Sequence, residues 1–106
     1  MKLVLVFAAL AATVIPAAAQ GFESMQTATS LGTVLAAEEF CDLSFDQSAI
    51  SAYIESKVPA DDMSFPSTLQ MMVQGSEFQQ KEMSKSAKTA HCTQVARIAK
   101  SYGFTE

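Results

Sequence analysis

The segment Ser84–Phe104, SKSAKTAHCTQVARIAKSYGF, predicts a helix that carries Cys92, one of the two cysteines in the chain. At about 100° per residue, the polar side chains of this segment separate from a mainly apolar side. Gly103 then suits the left-handed position after a helix, and Phe104 can fold back on the last turn as in a Schellman motif. The predicted core-facing side carries His91, Cys92, Val95, Ala96, Ile98, Ala99 and Tyr102.

The second cysteine, Cys41, lies about fifty residues earlier and at the end of another helical pattern. Two cysteines in a small exported chain predict a disulfide, here Cys41–Cys92, which would join the last helix to the first. A bond that closes a loop of this length stabilises a fold by about 4 kcal/mol. The alternatives are an intermolecular disulfide and a free reactive thiol, although no neighbouring cysteine or cluster of positive charge would activate such a thiol.

The first residues have the pattern of a secretory signal peptide. Lys2 precedes the apolar run Leu3–Ile15, Pro16 ends that run, and Ala17–Ala19 supply a small-residue cleavage site. The apolar run is shorter than the roughly 20 residues that span a bilayer. We therefore expect residues 1–19 to be cleaved, with a periplasmic or secreted product that has no membrane span; an uncleaved amino-terminal anchor is the alternative.

The charge of the chain excludes some classes of partner. The formal net charge is −4 over 106 residues, and loss of Lys2 with the signal peptide makes the mature chain more acidic. No run of basic residues is present, so nucleic acid and anionic lipid are poor ligands. A protein partner, or a second copy of the chain in a homodimer, fits this composition better.

Four helices are predicted after a flexible lead-in of residues 20–30, within a single helical domain of residues 31–106. Ser30 starts the first helix, and Asp46 caps the second, with Phe45 and Ile50 as a hydrophobic staple. Pro66 suits the first turn of the third helix.

A proline and a glycine are expected to limit the middle helices, and a serine to start the last one. Pro59 ends the second helix, because the residue before proline avoids helical angles. Gly75 is expected to interrupt the third helix, and Ser84 or Ser86 to cap the last. Met63 and Phe65, in the loop between the second and third helices, are expected to turn inward.

The pattern predicts an all-α fold, a small four-helix bundle or orthogonal array stapled by the disulfide, because no stretch alternates as a strand does. The predicted core contains residues from all four helices. Its members are Leu35, Phe40, Cys41, Phe45, Ile50, Tyr53, Ile54, Leu69, Met72, Val73, Cys92, Val95, Ile98 and Tyr102.

No catalytic motif accompanies this scaffold, so the chain is predicted not to be an enzyme. His91 is the single histidine. It is a candidate pH sensor, and the alternative is an ordinary half-buried histidine without a carboxylate partner. The pair Asp61–Asp62 lacks the remaining ligands of a calcium loop, so no metal site or cofactor is predicted.

The third helix has apolar residues on two opposite sides, which indicates contacts with more than one neighbour. We predict that it supplies an adaptable, methionine-rich interaction surface. The alternative role for the methionines, together with His91, is a copper(I) or small-ligand carrier. The predicted surface consists of Leu69, Met71, Met72, Val73 and Phe78.

Two segments carry a resemblance. Glu39–Gln47 (EFCDLSFDQ) and Ser86–Gln94 (SAKTAHCTQ), continued by Ala99–Phe104, resemble small exported proteins of alphaproteobacteria that have no assigned activity. In architecture, the chain also resembles periplasmic acid-stress chaperones of the HdeA type, with Cys41 before an acidic residue and Cys92 before Thr-Gln. The tryptophans and the lysine-rich tail of that family are absent here.

The second resemblance implies a small helical protein in which acid loosens a dimer and exposes apolar surface to unfolding clients. The expected function is therefore a non-enzymatic periplasmic binding or envelope-stress protein, either a holdase chaperone or an inhibitor of a partner protein. A structural domain that docks on another envelope component is a further alternative.

Overall fold

Four helices with short connections make up the part of the chain that the structure describes. The computed structural model describes residues 17–106, with side chains from residue 21 onward. Its helices are α1 (Ala17–Phe40), α2 (Gln47–Lys57), α3 (Phe65–Gln80) and α4 (Lys85–Ser101), and no strand occurs within the described range. The predicted all-α fold is confirmed. The predicted signal peptide falls largely outside these residues and stays a prediction.

Helix α1 is longer than the sequence predicted. It begins at Ala17 instead of Leu31, so the segment 20–30, expected to be a flexible lead-in, is helical. Ser24 and Ala28 are buried in this segment. Most helical stability in proteins comes from the packing of one face, and that contribution outweighs the weak helix propensity of the Gly, Ser and Thr residues here.

Helices α1 and α3 form the main packing contact and run in the same direction. Gly32 of α1 lies so close to α3 that a Cβ atom added there would stand 2.7 Å from the Cβ of Met72. Thr29 also reaches α3, because its hydroxyl donates to the Met72 sulfur at 3.7 Å. The glycine therefore permits a close helix crossing that no larger residue allows in this geometry.

The disulfide joins the end of α1 to α4, as predicted. Cys41 and Cys92 are bonded, with their Cα atoms 5.4 Å apart. The end of α1 next to this staple has a Schellman stop, which was not predicted from the sequence. Asp42 has a positive φ of 54°, and the Leu43 amide donates to the Glu38 carbonyl at 2.7 Å, which is the long bond of a Schellman motif.

The carboxyl end of α4 confirms the predicted Schellman stop. Gly103 has a φ of 83°, and the Phe104 amide donates to the Ala99 carbonyl at 2.9 Å. Phe104 is 1% exposed, and its ring packs against Phe45, Tyr53 and Tyr102. An aromatic cluster thus closes the end of the molecule where α2 and α4 meet.

The predicted helix signals hold at most positions. The Asp46 carboxylate caps α2 by accepting from the Ser48 amide at 3.0 Å, and the Ser84 hydroxyl caps α4. Pro66 lies in the first turn of α3. The predicted interruption at Gly75 is wrong, since α3 continues to Gln80.

The core lies where it was predicted, but several of its buried residues differ from the predicted list. Phe45 and Val95 are buried, and most of the other predicted residues pack around the core as partly buried side chains. Ile98 is 38% exposed, because it lies about 60° to one side of Val95 around α4. Phe65, Ala99 and Phe104 are also buried, in line with the inward positions expected for them. The buried apolar residues that were not predicted are Ala28, Leu31, Val34, Ala36 and Ala37.

Candidate functional site

The outer face of α3 exposes two large apolar side chains. Met71 and Phe78 are seven residues apart, which places them on the same side of a helix two turns from each other. Each is 68% exposed. Gln74 and Gly75 lie between them and are also exposed. We call these four residues the outer face; they contain the exposed part of the predicted interaction surface, while Leu69, Met72 and Val73 are half-buried.

The rest of the predicted surface belongs to the scaffold. Leu69 and Met72 pack against the core, and Met72 is held at the crossing with Gly32. Val73 is half-buried, and its amide nitrogen lies 3.3 Å from the position of a Cβ at Gly32. The predicted five-residue surface is therefore split by the helix into two sides, of which one is available to a partner.

A second apolar region lies at the other end of α3, around the loop that follows α2. A cavity of about 600 Å³, which we call the loop cavity, opens between this loop and the first turns of α1. Phe22 and Met25 line it and are 62% and 52% exposed. Phe65 turns inward as predicted, but Met63 is 82% exposed, so that part of the loop prediction is wrong.

Asp62 fixes the loop beside this cavity. Its carboxylate accepts from the Ser64 hydroxyl at 2.8 Å. Hydrogen bonds from Ser64 and then Ser24 hold the pKa of Asp62 below its usual value, because they stabilise the charged form. Since Ser24 belongs to α1, the charged carboxylate lies close to that helix.

The carboxyl ends of α1 and α3 enclose a second cavity, of about 590 Å³. We call it the acidic groove, because three glutamates contribute to its wall while Lys81 is the single cation among its described lining residues. Gln80, also in this wall, is 4% exposed, and its Nε2 atom has no hydrogen-bond partner among the described residues. The lining residues are Leu35, Ala36, Glu38, Glu39, Phe40, Glu77, Gln80 and Lys81.

His91, the predicted pH sensor, lies beside the disulfide and is half-buried. Its ring meets the edge of Phe40, with centroids 6.3 Å apart, and its Nε2 atom has no hydrogen-bond partner in the described part of the chain. The Lys88 ammonium lies 4.5 Å from the centroid of the same Phe40 ring. A carboxylate partner for His91 is not among these contacts, and its sensing role stays a prediction.

A tyrosine pair lies at the opposite end of α4. Tyr53 and Tyr102 stack with their centroids 4.5 Å apart. Desolvation, and then the hydrogen bond with Tyr102, raises the pKa of Tyr53 to about 12, which keeps its hydroxyl protonated at any physiological pH. Tyr53 is therefore a neutral packing element of the aromatic cluster.

Within residues 17–106, no group of three or more His, Cys, Asp and Glu side chains is placed to hold a metal ion. None of the helices α1–α4 is both long and apolar enough to cross a membrane. Comparison with known proteins adds no assignment: no protein-family model, no curated protein and no solved structure matches this chain.

Proposed function

We propose that this chain is a non-enzymatic holdase of the bacterial envelope, which binds unfolding proteins through the outer face of α3. The observation that carries the proposal is the exposure of Met71 and Phe78 on one side of a helix whose other side is fixed to α1. Methionine and phenylalanine supply a large, adaptable apolar contact, which suits clients of varied sequence. The predicted signal peptide supports the envelope location, and the disulfide is compatible with it.

Acid is proposed to strengthen this binding. The pKa of Asp62 is lowered by Ser64 and Ser24, and the pKa of Asp46 is lowered mainly by the Ser48 hydroxyl. A carboxylate with a lowered pKa stabilises the fold above its unfolded-state value and loses that contribution as the pH falls through the folded-state value. Below about pH 4, protonation therefore loosens the loop next to the loop cavity and, separately, the start of α2 beside Phe45 and Phe104, and both changes add apolar surface to that of the outer face.

The test follows the aggregation of citrate synthase by light scattering at about pH 3 and at neutral pH, in the presence of the oxidised mature protein. We expect strong suppression in acid and weaker suppression at neutral pH. The double substitution Met71→Ser and Phe78→Ser removes both exposed apolar side chains of the outer face, and it should abolish most of the suppression. The matched control is Phe22→Ser with Met25→Ser, which removes the same two residue types at the loop cavity.

The variants separate the outer face from general apolar exposure. At neutral pH, retained suppression in the control pair, with loss in the α3 pair, supports the proposal. Equal loss in both pairs would show that suppression depends on the total exposed apolar area and not on the outer face, which would contradict the proposal. If the unmodified protein suppresses aggregation neither at about pH 3 nor at neutral pH, a holdase role is ruled out.

A further inference from the structure

The acidic groove lies where two helix dipoles point in the same direction. Since α1 and α3 run in parallel, their carboxyl ends at Phe40 and Gln80 meet on its two sides. The carboxyl end of a helix carries a partial negative charge, which favours cations within its last turn. The backbone alone therefore makes this groove attractive to a positive group.

Three carboxylates add to that field. Glu39 and Glu77 are exposed at the groove, one from each helix. Glu38 is half-buried, and one of its oxygens, Oε2, accepts from the Phe45 amide at 2.7 Å. The other oxygen of Glu38 is left for a ligand. Together, the three carboxylates give the groove more negative charge than the single ammonium of Lys81 offsets.

The amide of Gln80 is the second and independent observation. Its side chain is almost fully buried in the groove wall, and Nε2 is a donor without an acceptor. A buried donor that stays unpaired costs about 1–3 kcal/mol, so native structures rarely keep one. A ligand that brings an acceptor next to its positive charge would satisfy this nitrogen.

We propose that the acidic groove binds an arginine side chain of a protein partner. The guanidinium faces Glu38, Glu39 and Glu77, while a main-chain carbonyl of the same segment accepts from Gln80 Nε2. A guanidinium fits better than an ammonium, because its planar donors match carboxylates in pairs. Leu35 and Phe40 offer apolar wall to the methylene groups of the arginine.

The position of the groove connects it with the outer face. Glu77 precedes Phe78 directly, and Lys81 follows Phe78 by about one turn. A segment with an apolar residue on Phe78 can therefore place a nearby arginine in the groove. In this respect the inference rests on the proposed function, since it names the chemistry of the segment that the holdase surface prefers.

The test uses N-acetyl-arginine N-methylamide, which has the guanidinium and two carbonyls, and its citrulline analogue, which has the same shape without charge. Each is titrated into the isotopically labelled, oxidised mature protein at neutral pH and low salt, and the side-chain amide signals of Gln80 are followed by NMR. We expect a saturable shift with a millimolar Kd for the arginine compound. The citrulline compound should bind at least about tenfold more weakly, which corresponds to 1.4 kcal/mol.

Two double variants locate the interaction. Glu39→Gln with Glu77→Gln removes two exposed charges of the groove at nearly constant shape, and it should weaken the binding of the arginine compound about tenfold. Glu55→Gln with Asp61→Asn removes two charges outside the groove and should leave the Kd unchanged. Equal weakening in both variants, equal affinity for citrulline, or an unchanged Gln80 signal would overturn the inference.

The outcomes also separate this site from the holdase role. The arginine compound is too small to need the outer face, so its binding does not depend on Met71 or Phe78. Binding in the groove by a protein that fails to suppress aggregation would leave the groove established and the holdase proposal wrong. Suppression of aggregation by a protein whose groove does not bind the arginine compound would support the holdase proposal and show that the arginine site is wrong.

Discussion

Helix α3 contains two neighbouring methionines that differ in burial. The side chain of Met72 packs on α1, where the Cβ of any residue larger than glycine at position 32 would collide with it. Met71, one residue earlier, is 68% exposed. The two glycines nearby repeat the contrast: Gly32 lies at the helix crossing, while a Cβ at Gly75 would have no neighbour within 4 Å.

The contrast shows that residue type alone does not decide which apolar groups belong to the scaffold. A turn of about 100° between neighbours in a helix is sufficient to move a methionine from the core to solvent. The inner side of α3 packs on the rest of the fold, and the outer face is left as the surface of the proposed client binding. The predictions below test this division of roles, starting with the largest effect on the free energy of unfolding.

The largest effect should come from removing the staple. Replacing Cys41 and Cys92 by alanine opens a loop of sequence separation 51, and we expect the free energy of unfolding to fall by about 4 kcal/mol. Urea denaturation at neutral pH measures this loss. Because the outer face is not part of the staple, any fraction that remains folded should still depend on Met71 and Phe78 for client binding. A client-binding defect in fully folded protein would contradict the division.

The two glycines should respond to alanine with opposite signs. Gly32→Ala places a methyl group 2.7 Å from the Met72 Cβ and 3.2 Å from a backbone carbon, so the helices must separate. We expect a net loss of about 1–2 kcal/mol in unfolding free energy, since overpacking exceeds the gain in helix propensity.

Gly75→Ala is the matched control for Gly32→Ala. It meets open space in the middle of α3, and we expect a gain of about 0.5–1 kcal/mol in unfolding free energy from helix propensity alone. Thermal and urea unfolding of both variants provide the comparison. The same sign at both positions would show that the close crossing of α1 and α3 does not control the stability of the fold.

The two methionines should differ in the same direction, by a smaller amount. Met72→Ala removes a partly buried side chain that packs on the core, and we expect a loss of about 1–2 kcal/mol. Met71→Ala should change the unfolding free energy by less than about 0.5 kcal/mol and should weaken client binding instead. Denaturation curves and aggregation assays of both variants give four values. If Met71→Ala lowered the stability and Met72→Ala weakened client binding, the binding surface would lie on the inner side of α3, which would contradict the proposal.

Much of this fold could be predicted from the sequence, because its signals are local. The Asp46 cap, the Pro66 start and the Gly103 stop depend on a few neighbouring residues, and the structure confirms each of them. The disulfide followed from the number of cysteines in a chain predicted to be exported. These features need no knowledge of which helices touch.

The features that failed or were missed depend on tertiary contacts. Gly32 could be interpreted from the sequence only as a weak helix residue, and its role at the crossing appears once Met72 is opposite it. The fold-back of Phe104 was predicted, but the aromatic cluster around its ring was not, because α2 and α4 bring those neighbours together. The acidic groove depends on the parallel course of α1 and α3, which no spacing of glutamates along the chain could indicate.

The smallest effect concerns the loop beside the exposed residues Phe22 and Met25. Asp62→Asn removes a carboxylate whose lowered pKa stabilises the folded state at neutral pH and stops doing so as the pH falls through the folded-state value. The variant should therefore be slightly less stable at about pH 6, and its stability should fall less between about pH 5 and 2 than that of the unmodified protein. Urea midpoints across this range measure the difference. Asp61→Asn, which removes an equal charge but keeps the hydrogen bond from Ser64 to Asp62, is the control and should retain the original acid response. If both variants flatten the curve equally, net charge and not the Asp62 link governs the acid loosening, and the loop cavity has no part in the acid response.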